Sequence, residues 1–431
     1  MKIGVVGGAG LRTPLLVGGL TRSDLPITEV VLYDVDAARL ALVAPLAQRM
    51  AARGHVGTTA RVEECVEGAD FVVTSIRPGG IETRARQEAA AMALGVLGQE
   101  TVGPVGFAMA LAAIPAMVAY AREVERRAPR AWMVNFTNPV GIVTQAVTSQ
   151  TAARMVGICD TPTELFEETA HVLGLPSAEC RFDYFGLNHL GWLREVHHRG
   201  VPQLERLWDD PEALARVYRA PLFTAERLRA LRLLPSEYVF YYEQPDRSLE
   251  NFRRAGASRG RVIAELNTRL LDSLARAPAD PVWTYLEYLA ARDAGYMQIE
   301  SGAAGPRRPA AGPELTGYDK IGLAVVHAIH FNTGAVIPLD VPNRGTMPDL
   351  QEGDVVEVPC VVNANGALPL HAGKAPESVR PLLVRVKEYE RLTVEAVRMG
   401  APEAARRALA TNPLVGNEAL AGRLLEAMGV Q

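Results

Sequence analysis

The spacing of apolar residues changes period repeatedly over the first 160 positions, and each change marks a new element. Short apolar runs at 3–6, 29–33, 70–76, 132–136 and 155–158 read as buried strands. Helical spacing at 13–20, 37–53 and 104–126 fills the gaps between them. Strands alternating with helices predict an α/β protein whose residues 1–160 form a Rossmann-like, doubly wound parallel sheet. Ligands of such sheets lie off the carboxyl ends of the strands.

Near residue 181 the pattern changes to aromatics, Trp192 among them, and short alternating pieces. Positions 238–242 are rich in tyrosine, and 261–276 read as an amphipathic helix. An alternating strand at 355–362 runs into the turn Asn363-Ala364-Asn365-Gly366. Helices are expected at 375–399 and 401–428. Residues 161–431 therefore read as a C-terminal α+β domain. There is no internal repeat, and the Gly/Pro/Arg-rich stretch 301–313 reads as disordered.

Composition narrows the function by exclusion. Hydrophobic residues make up 48% and charged residues 22%, and a net charge of -4 comes from nearly balanced totals. Neither nucleic acid nor a membrane surface is expected as a partner. The apolar run 107–120 is too short and too alanine-rich for a membrane span. With no secretory signal pattern at Met1 and four widely spaced cysteines, a reducing cytoplasm is expected, where Cys159 is available as a thiolate.

Two constellations carry chemistry. Gly7-Gly8-Ala9-Gly10 follows the first strand and precedes a helix, and Asp34 ends the second strand. Glycines there let a pyrophosphate approach the helix N-terminus, and Asp34 accepts from ribose hydroxyls, favouring NAD over NADP. Thr13 replaces the third glycine of the fingerprint, and a tight turn without ligand is the plainer alternative. The second pair is Cys159 and His189, each after an apolar segment and flanked by Asp160 and Asn188. Thiolate and imidazole suit a borderline divalent metal. Singly, each reads as well as a buried thiol or a core histidine. No companion motif completes a closed site, so substrate oxygens and water are expected in the remaining positions. His197-His198 reads as an exposed strand end.

Further strings make the chain recognisable: Thr13-Pro14, Ile76-Arg77-Pro78-Gly79-Gly80, Gly98-Gln99-Glu100-Thr101-Val102-Gly103-Pro104, Asn135-Phe136-Thr137-Asn138-Pro139, Gly186-Leu187-Asn188-His189-Leu190, Leu234-Pro235-Ser236-Glu237-Tyr238, Ser258-Arg259-Gly260 and Val341-Pro342-Asn343-Arg344-Gly345. In this order they resemble glycoside hydrolase family four, the NAD- and manganese-dependent glycosidases, most of all its 6-phospho-β-glucosidase branch. The family is an exception to two-carboxylate hydrolysis. The resemblance implies hydride transfer from C3 of the sugar to NAD+, loss of the C2 proton, departure of the aglycone from C1, water addition and return of the hydride.

The same resemblance implies roles. Cys159 and His189 match the metal ligands, Tyr238 the C2 base, and Gly7, Gly8, Gly10, Asp34 and Arg77 the cofactor site. Glu100, Asn138 and Asn188 match positions that contact the sugar or order the metal site, and Arg84 and Arg259 match phosphate ligands. Tyr241 and Tyr242 compete with Tyr238, and aromatic packing accounts for all three equally well. The implied C-terminal domain carries substrate, metal and the contacts of a homodimer or homotetramer. Asp160 departs from the β branch, which carries Asn there; in the α branch an Asp at this place is the general acid. Anomer preference therefore stays open, as does a plain NAD-dependent dehydrogenase.

Overall fold

The computed structural model describes residues 1–218, 220–302 and 318–430. Six parallel strands, β1 (Lys2–Val6), β2 (Glu29–Tyr33), β3 (His55–Thr59), β4 (Phe71–Thr74), β5 (Trp132–Asn135) and β6 (Arg154–Gly157), lie in the order β3-β2-β1-β4-β5-β6. The chain moves outward from β1 to β3 and then back across β1 to β4, so the direction of winding reverses between β1 and β4. In such sheets the ligand crevice falls at that reversal. β1 and β4 are almost wholly buried because helices cover both faces. β3 escaped the sequence reading because it is an edge strand with Val56 as its one buried residue.

One hairpin and one three-stranded antiparallel meander carry the architecture beyond the parallel sheet. β7 (Cys180–Leu187) pairs with β8 (Leu190–His198), flanked by the two-residue strands β9 (Val201–Pro202) and β10 (Leu234–Pro235). β11 (Ala335–Pro342), β12 (Val355–Asn363) and β13 (Gly366–Pro369) then join the first sheet antiparallel, giving nine strands in the order β13-β12-β11-β6-β5-β4-β1-β2-β3. The bridge to the parallel strands is the register pair Asp340–Gly157. The turn expected at 363–366 closes the β12–β13 hairpin, with Asn363 opposite Gly366.

Helices differ from expectation mainly at their ends. The one read over 37–53 stops at Met50, and that over 261–276 is Arg259–Ala275. Helix Arg380–Met399 starts five residues later than position 375. The single helix expected over 401–428 is two, Pro402–Thr411 and Glu418–Ala427. The break follows from Pro413, which has no N–H to donate, and from Asn412, whose side chain accepts from the Leu414 amide at 3.0 Å. Helix Gly103–Arg127 has 25 residues, longer than the apolar run suggested. By length and composition it could cross a membrane, yet its most apolar stretch is 67% buried inside the fold, where it packs as a core helix. The segment 303–313 of the expected disordered stretch lies outside the described residues.

The Val341–Gly345 string, one of those that carried the resemblance, has a structural task. Asn343 is fully buried, and its Nδ2 donates to the carbonyls of Met347, Leu350 and Gln351 at 2.9–3.1 Å. Its Oδ1 accepts from the Met347 amide at 2.7 Å. One side chain thus satisfies the backbone of the β11–β12 connection. Asn343→Ala removes all four of these bonds at once, and a loss of about 3 kcal/mol in urea unfolding is expected. An unchanged midpoint would show that the connection is held by something else.

Candidate active site

The loop after β1 crosses the ends of its neighbours. Gly7 and Gly8 donate to the Tyr33 carbonyl at 2.9 and 2.8 Å, and Ala9 donates to Asp34 Oδ2 at 2.9 Å. Gly7 has φ +96°, and a Cβ there would lie 2.2 Å from the Ser75 carbonyl oxygen, so only glycine fits between β2 and β4. Gly10 accepts from the Thr13 amide at 2.9 Å as helix Thr13–Arg22 begins. Asp34 Oδ1 also accepts from Asp36 N at 3.0 Å, which fixes the carboxylate while leaving lone pairs for hydroxyl donors. A bare helix N-terminus, a loop with little side-chain bulk and an anchored acid fit a dinucleotide.

Beyond β4 lies an ion cluster. Glu100 is paired with both Arg77 and Arg84, and Arg84 Nε donates to Glu88 Oε1 at 2.7 Å. Burial pushes the Glu100 carboxyl up, but Arg77 and Arg84 outweigh it and hold it down at about 2. Glu100 is therefore a fixed counterion and carries no proton to donate at neutral pH. Burial, the neighbouring Arg84 and Arg292 lower the Arg77 guanidinium while Glu100 raises it. Arg259 donates to the Arg292 carbonyl at 2.5 Å and feels both Arg292 and Arg84. Arg292, on helix Pro281–Ala294, was missed in the sequence because nothing local distinguishes it from a surface arginine.

Asn188 and His189 form the two-residue turn of the β7–β8 hairpin, between the paired Leu187 and Leu190. His189 holds a left-handed φ of +63°, costly for a side chain with a Cβ and typical of functional turns. Its Nδ1 lies 2.7 Å from the Thr101 hydroxyl. Gln99 Oε1 accepts from the Thr101 and Val102 amides at 2.7 and 2.9 Å, and lies 3.1 Å from the same hydroxyl. With its proton given to Gln99, the hydroxyl accepts from His189 Nδ1–H, and the lone pair is left on Nε2. Nε2 is buried and has no hydrogen-bond partner among the described residues. Burial lowers the imidazole to about 3, so it is neutral.

The His189 ring stacks on Tyr238, with centroids 3.7 Å apart and planes within 10°. Of the three competing tyrosines this one reaches the site. Tyr241 is buried and donates to Met297 Sδ at 3.4 Å, and Tyr242 faces Tyr389 and Glu390. Burial, then the charges of Cys159, Glu100 and Asp160, push the Tyr238 phenol up. The Cys159 thiol, fully buried at the end of β6, is raised by burial, Glu357 and Asp160, and lies 3.4 Å from the Thr161 hydroxyl. In the absence of a neighbouring positive charge this pocket favours the protonated thiol. Asp160 immediately precedes helix Thr161–Leu173, within electrostatic reach of Cys159, Tyr238 and Arg12.

Asn138 and Asn188 end up in different settings. Asn138 Oδ1 is buried and has no hydrogen-bond partner among the described residues, whereas Asn188 donates to Glu357 Oε1 at 3.2 Å, and Glu357 also accepts from Tyr184 at 2.7 Å. Among the described residues no group of three His, Cys, Asp or Glu side chains is placed to close on a metal. A thiol, a bare imidazole nitrogen and an orphaned amide oxygen fit a borderline divalent cation in an open site. His197 and His198 sit at the other end of β8, opposite Arg181 and Cys180.

A reversing α/β sheet with a glycine loop at its switch point defines a dinucleotide-fold enzyme. The models described as Family 4 glycosyl hydrolase and its C-terminal domain match residues 2–175 and 184–415, so the chain belongs to the family 4 glycosyl hydrolases. A probable 6-phospho-beta-glucosidase of Bacillus subtilis is 29% identical, covering 99% of this chain and 95% of its own. The 6-phospho-beta-glucosidase of Thermotoga maritima, solved with manganese, NAD+ and glucose-6-phosphate, superposes with a TM-score of 0.84 at 26% identity, over 99% of this chain and 98% of that one. A 6-phospho-alpha-glucosidase from gut microorganisms, solved with NAD and glucose-6-phosphate, gives 0.82 at 26% identity, over 99% and 96%.

Glu100→Gln removes the anion between two guanidinium groups, and a loss of about 3 kcal/mol is expected because one partner of a buried pair is gone. The depressed carboxyl contributes stability that is present above its unfolded value of 4.5 and lost as pH falls towards about 2. Urea unfolding of the parent should therefore weaken across that window, and the variant should lack this contribution. Equal stability at pH 7 would contradict the ion chain.

Proposed function

We propose that this protein hydrolyses 6-phospho-β-glucosides with bound NAD and a divalent cation, manganese being the first choice. The observation that carries the proposal is His189: its nitrogen is bared by the Thr101 contact and its ring lies under the Tyr238 phenol. When bound, NAD+ supplies a hydride acceptor for C3, and the cation supplies Lewis-acid charge against the C2 and C3 oxygens.

The chain's own residues divide the remaining work. Gly7, Gly8 and Gly10 make room for the pyrophosphate, and Asp34 accepts from the ribose hydroxyls. Cys159, His189 and the Asn138 oxygen hold the cation. Tyr238 takes the C2 proton, and the phenol raised by its surroundings becomes an adequate base only beside added positive charge. Arg84 and Arg259 receive the 6-phosphate, for which a guanidinium fork is suited. Glu100 keeps Arg77 and Arg84 in place instead of moving protons. Asp160 stands beside the reacting groups, and in the α reading it would protonate the leaving oxygen.

The test is a panel of α- and β-linked 4-nitrophenyl glucosides, each with and without a 6-phosphate, assayed in D2O. Release of nitrophenol from the β-linked phosphate, deuterium at C2 of the product and no stoichiometric NADH are expected. Cleavage of the α-linked phosphate alone would reverse the anomer, and NADH accumulating with turnover would make the protein a dehydrogenase. Separately, Cys159→Ser should weaken manganese binding in calorimetry by at least about tenfold, or 1.4 kcal/mol, with NAD affinity changed far less. Equal manganese affinity would remove Cys159 from the ligand set.

A further inference from the structure

The Arg84 side chain owes its position to a residue that has no part in the chemistry above. Glu88 lies one helical turn further along Gly80–Ala93 and is completely buried. One of its oxygens accepts from Arg84 Nε at 2.7 Å, and the other accepts from the Gly260 amide at 2.7 Å. Gly260 is the second residue of helix Arg259–Ala275, where amides lack a partner within the helix. The Ser258 side chain caps this helix through Arg261 N at 3.3 Å and leaves the Gly260 amide to Glu88.

Two helices therefore meet on one carboxylate, and a third segment packs on the backbone of the same residue. A Cβ at residue 260 would lie 2.4 Å from Glu88 Oε2 and 3.1 Å from Arg84 Nε, so glycine is what allows the helix end to reach it. A Cβ at residue 98 would lie 2.5 Å from the Glu88 carbonyl, so the strand of chain leading to Glu100 and Thr101 packs on the same residue. Arg84 and Arg259 sit on two of these segments, and Arg292 adds a third positive charge beside Arg259. Guanidinium groups gathered this way repel one another unless a buried anion is fixed among them.

We infer that Glu88 is a positioning residue that fixes the separation of Arg84 and Arg259, and so sets the enzyme's affinity for a phosphorylated sugar. The inference rests on the proposed phosphate role of those two arginines. It places the effect of Glu88 on substrate capture, because its carboxylate bonds Arg84 and Gly260 and neither Tyr238 nor His189.

Glu88→Gln keeps the shape but offers one acceptor oxygen to two donors. Gly260→Ala disturbs the same joint from the helix side without changing charge. For each, KM for the 4-nitrophenyl glucoside 6-phosphate and the inhibition constant of inorganic phosphate should rise about tenfold, with kcat within about threefold and NAD affinity unchanged. The double variant should fall well short of the product of the two effects, since both act on one contact. Unchanged KM and phosphate inhibition in folded Gly260→Ala, or a loss confined to kcat in either variant, overturns the inference. If Glu88→Gln does not fold, Gly260→Ala decides alone. A parent enzyme that cleaves free glucosides as well as phosphorylated ones and ignores phosphate refutes the phosphate reading itself, before any variant is made.

Discussion

Burial of the reactive groups governs this site. Cys159 and Tyr238 are pushed above their ordinary range and His189 far below its own, so all three rest in neutral forms. A low-dielectric pocket disfavours charge of either sign, and one arriving cation changes the outcome for each group in the same direction. Positive charge favours the thiolate, accepts the imidazole lone pair and lowers the phenol.

The fixed charges form a cluster of their own, and among them Glu100 acts electrostatically on both Tyr238 and His189. Arg77, Arg84, Arg259 and Arg292 gather with Glu88 and Glu100 beyond β4, on chain that precedes and follows the long core helix Gly103–Arg127. Glu100 stays ionised there because two guanidinium groups outweigh its burial. Thr101, next in sequence, turns away from that cluster to hold His189. One short connection therefore joins the arginine cluster to the turn that carries His189.

What the sequence revealed and what it hid follow from the range of the interactions. The glycine loop, Asp34 and Cys159 are local events at strand ends, and period and spacing identify them. Their assembly is also local, since a parallel sheet brings its carboxyl ends to one edge. Tyr238 was open against Tyr241 and Tyr242 because all three suit an aromatic core, and only the stacking on His189 separates them. The supporting residues were invisible: Thr101 meets His189 across 88 positions, Glu357 meets Asn188 across 169, and Glu88 meets Gly260 across 172. No periodicity encodes a pair that forms only after the whole sheet is built.

The hairpin turn that carries His189 depends on such support, because its left-handed φ is not a conformation the residue prefers. Asn188 is tied to Glu357, which faces Asp340 directly across β11 and β12. Behind them Glu390 is paired with Lys387, whose ammonium also donates to Gln145 at 3.0 Å. Three buried carboxyl groups against one lysine would be untenable if all were ionised. Burial and the charge of Glu357 push Asp340 well above the carboxylate range, and Glu357 is pushed up by burial as well. A neutral Asp340 carboxyl, which its surroundings favour, lessens the repulsion across the Asp340–Glu357 register pair. Because β11 reaches the parallel sheet through Asp340 opposite Gly157, two residues before Cys159, this buried carboxyl group ties the support of the Asn188-His189 turn to the strand that ends at the thiol.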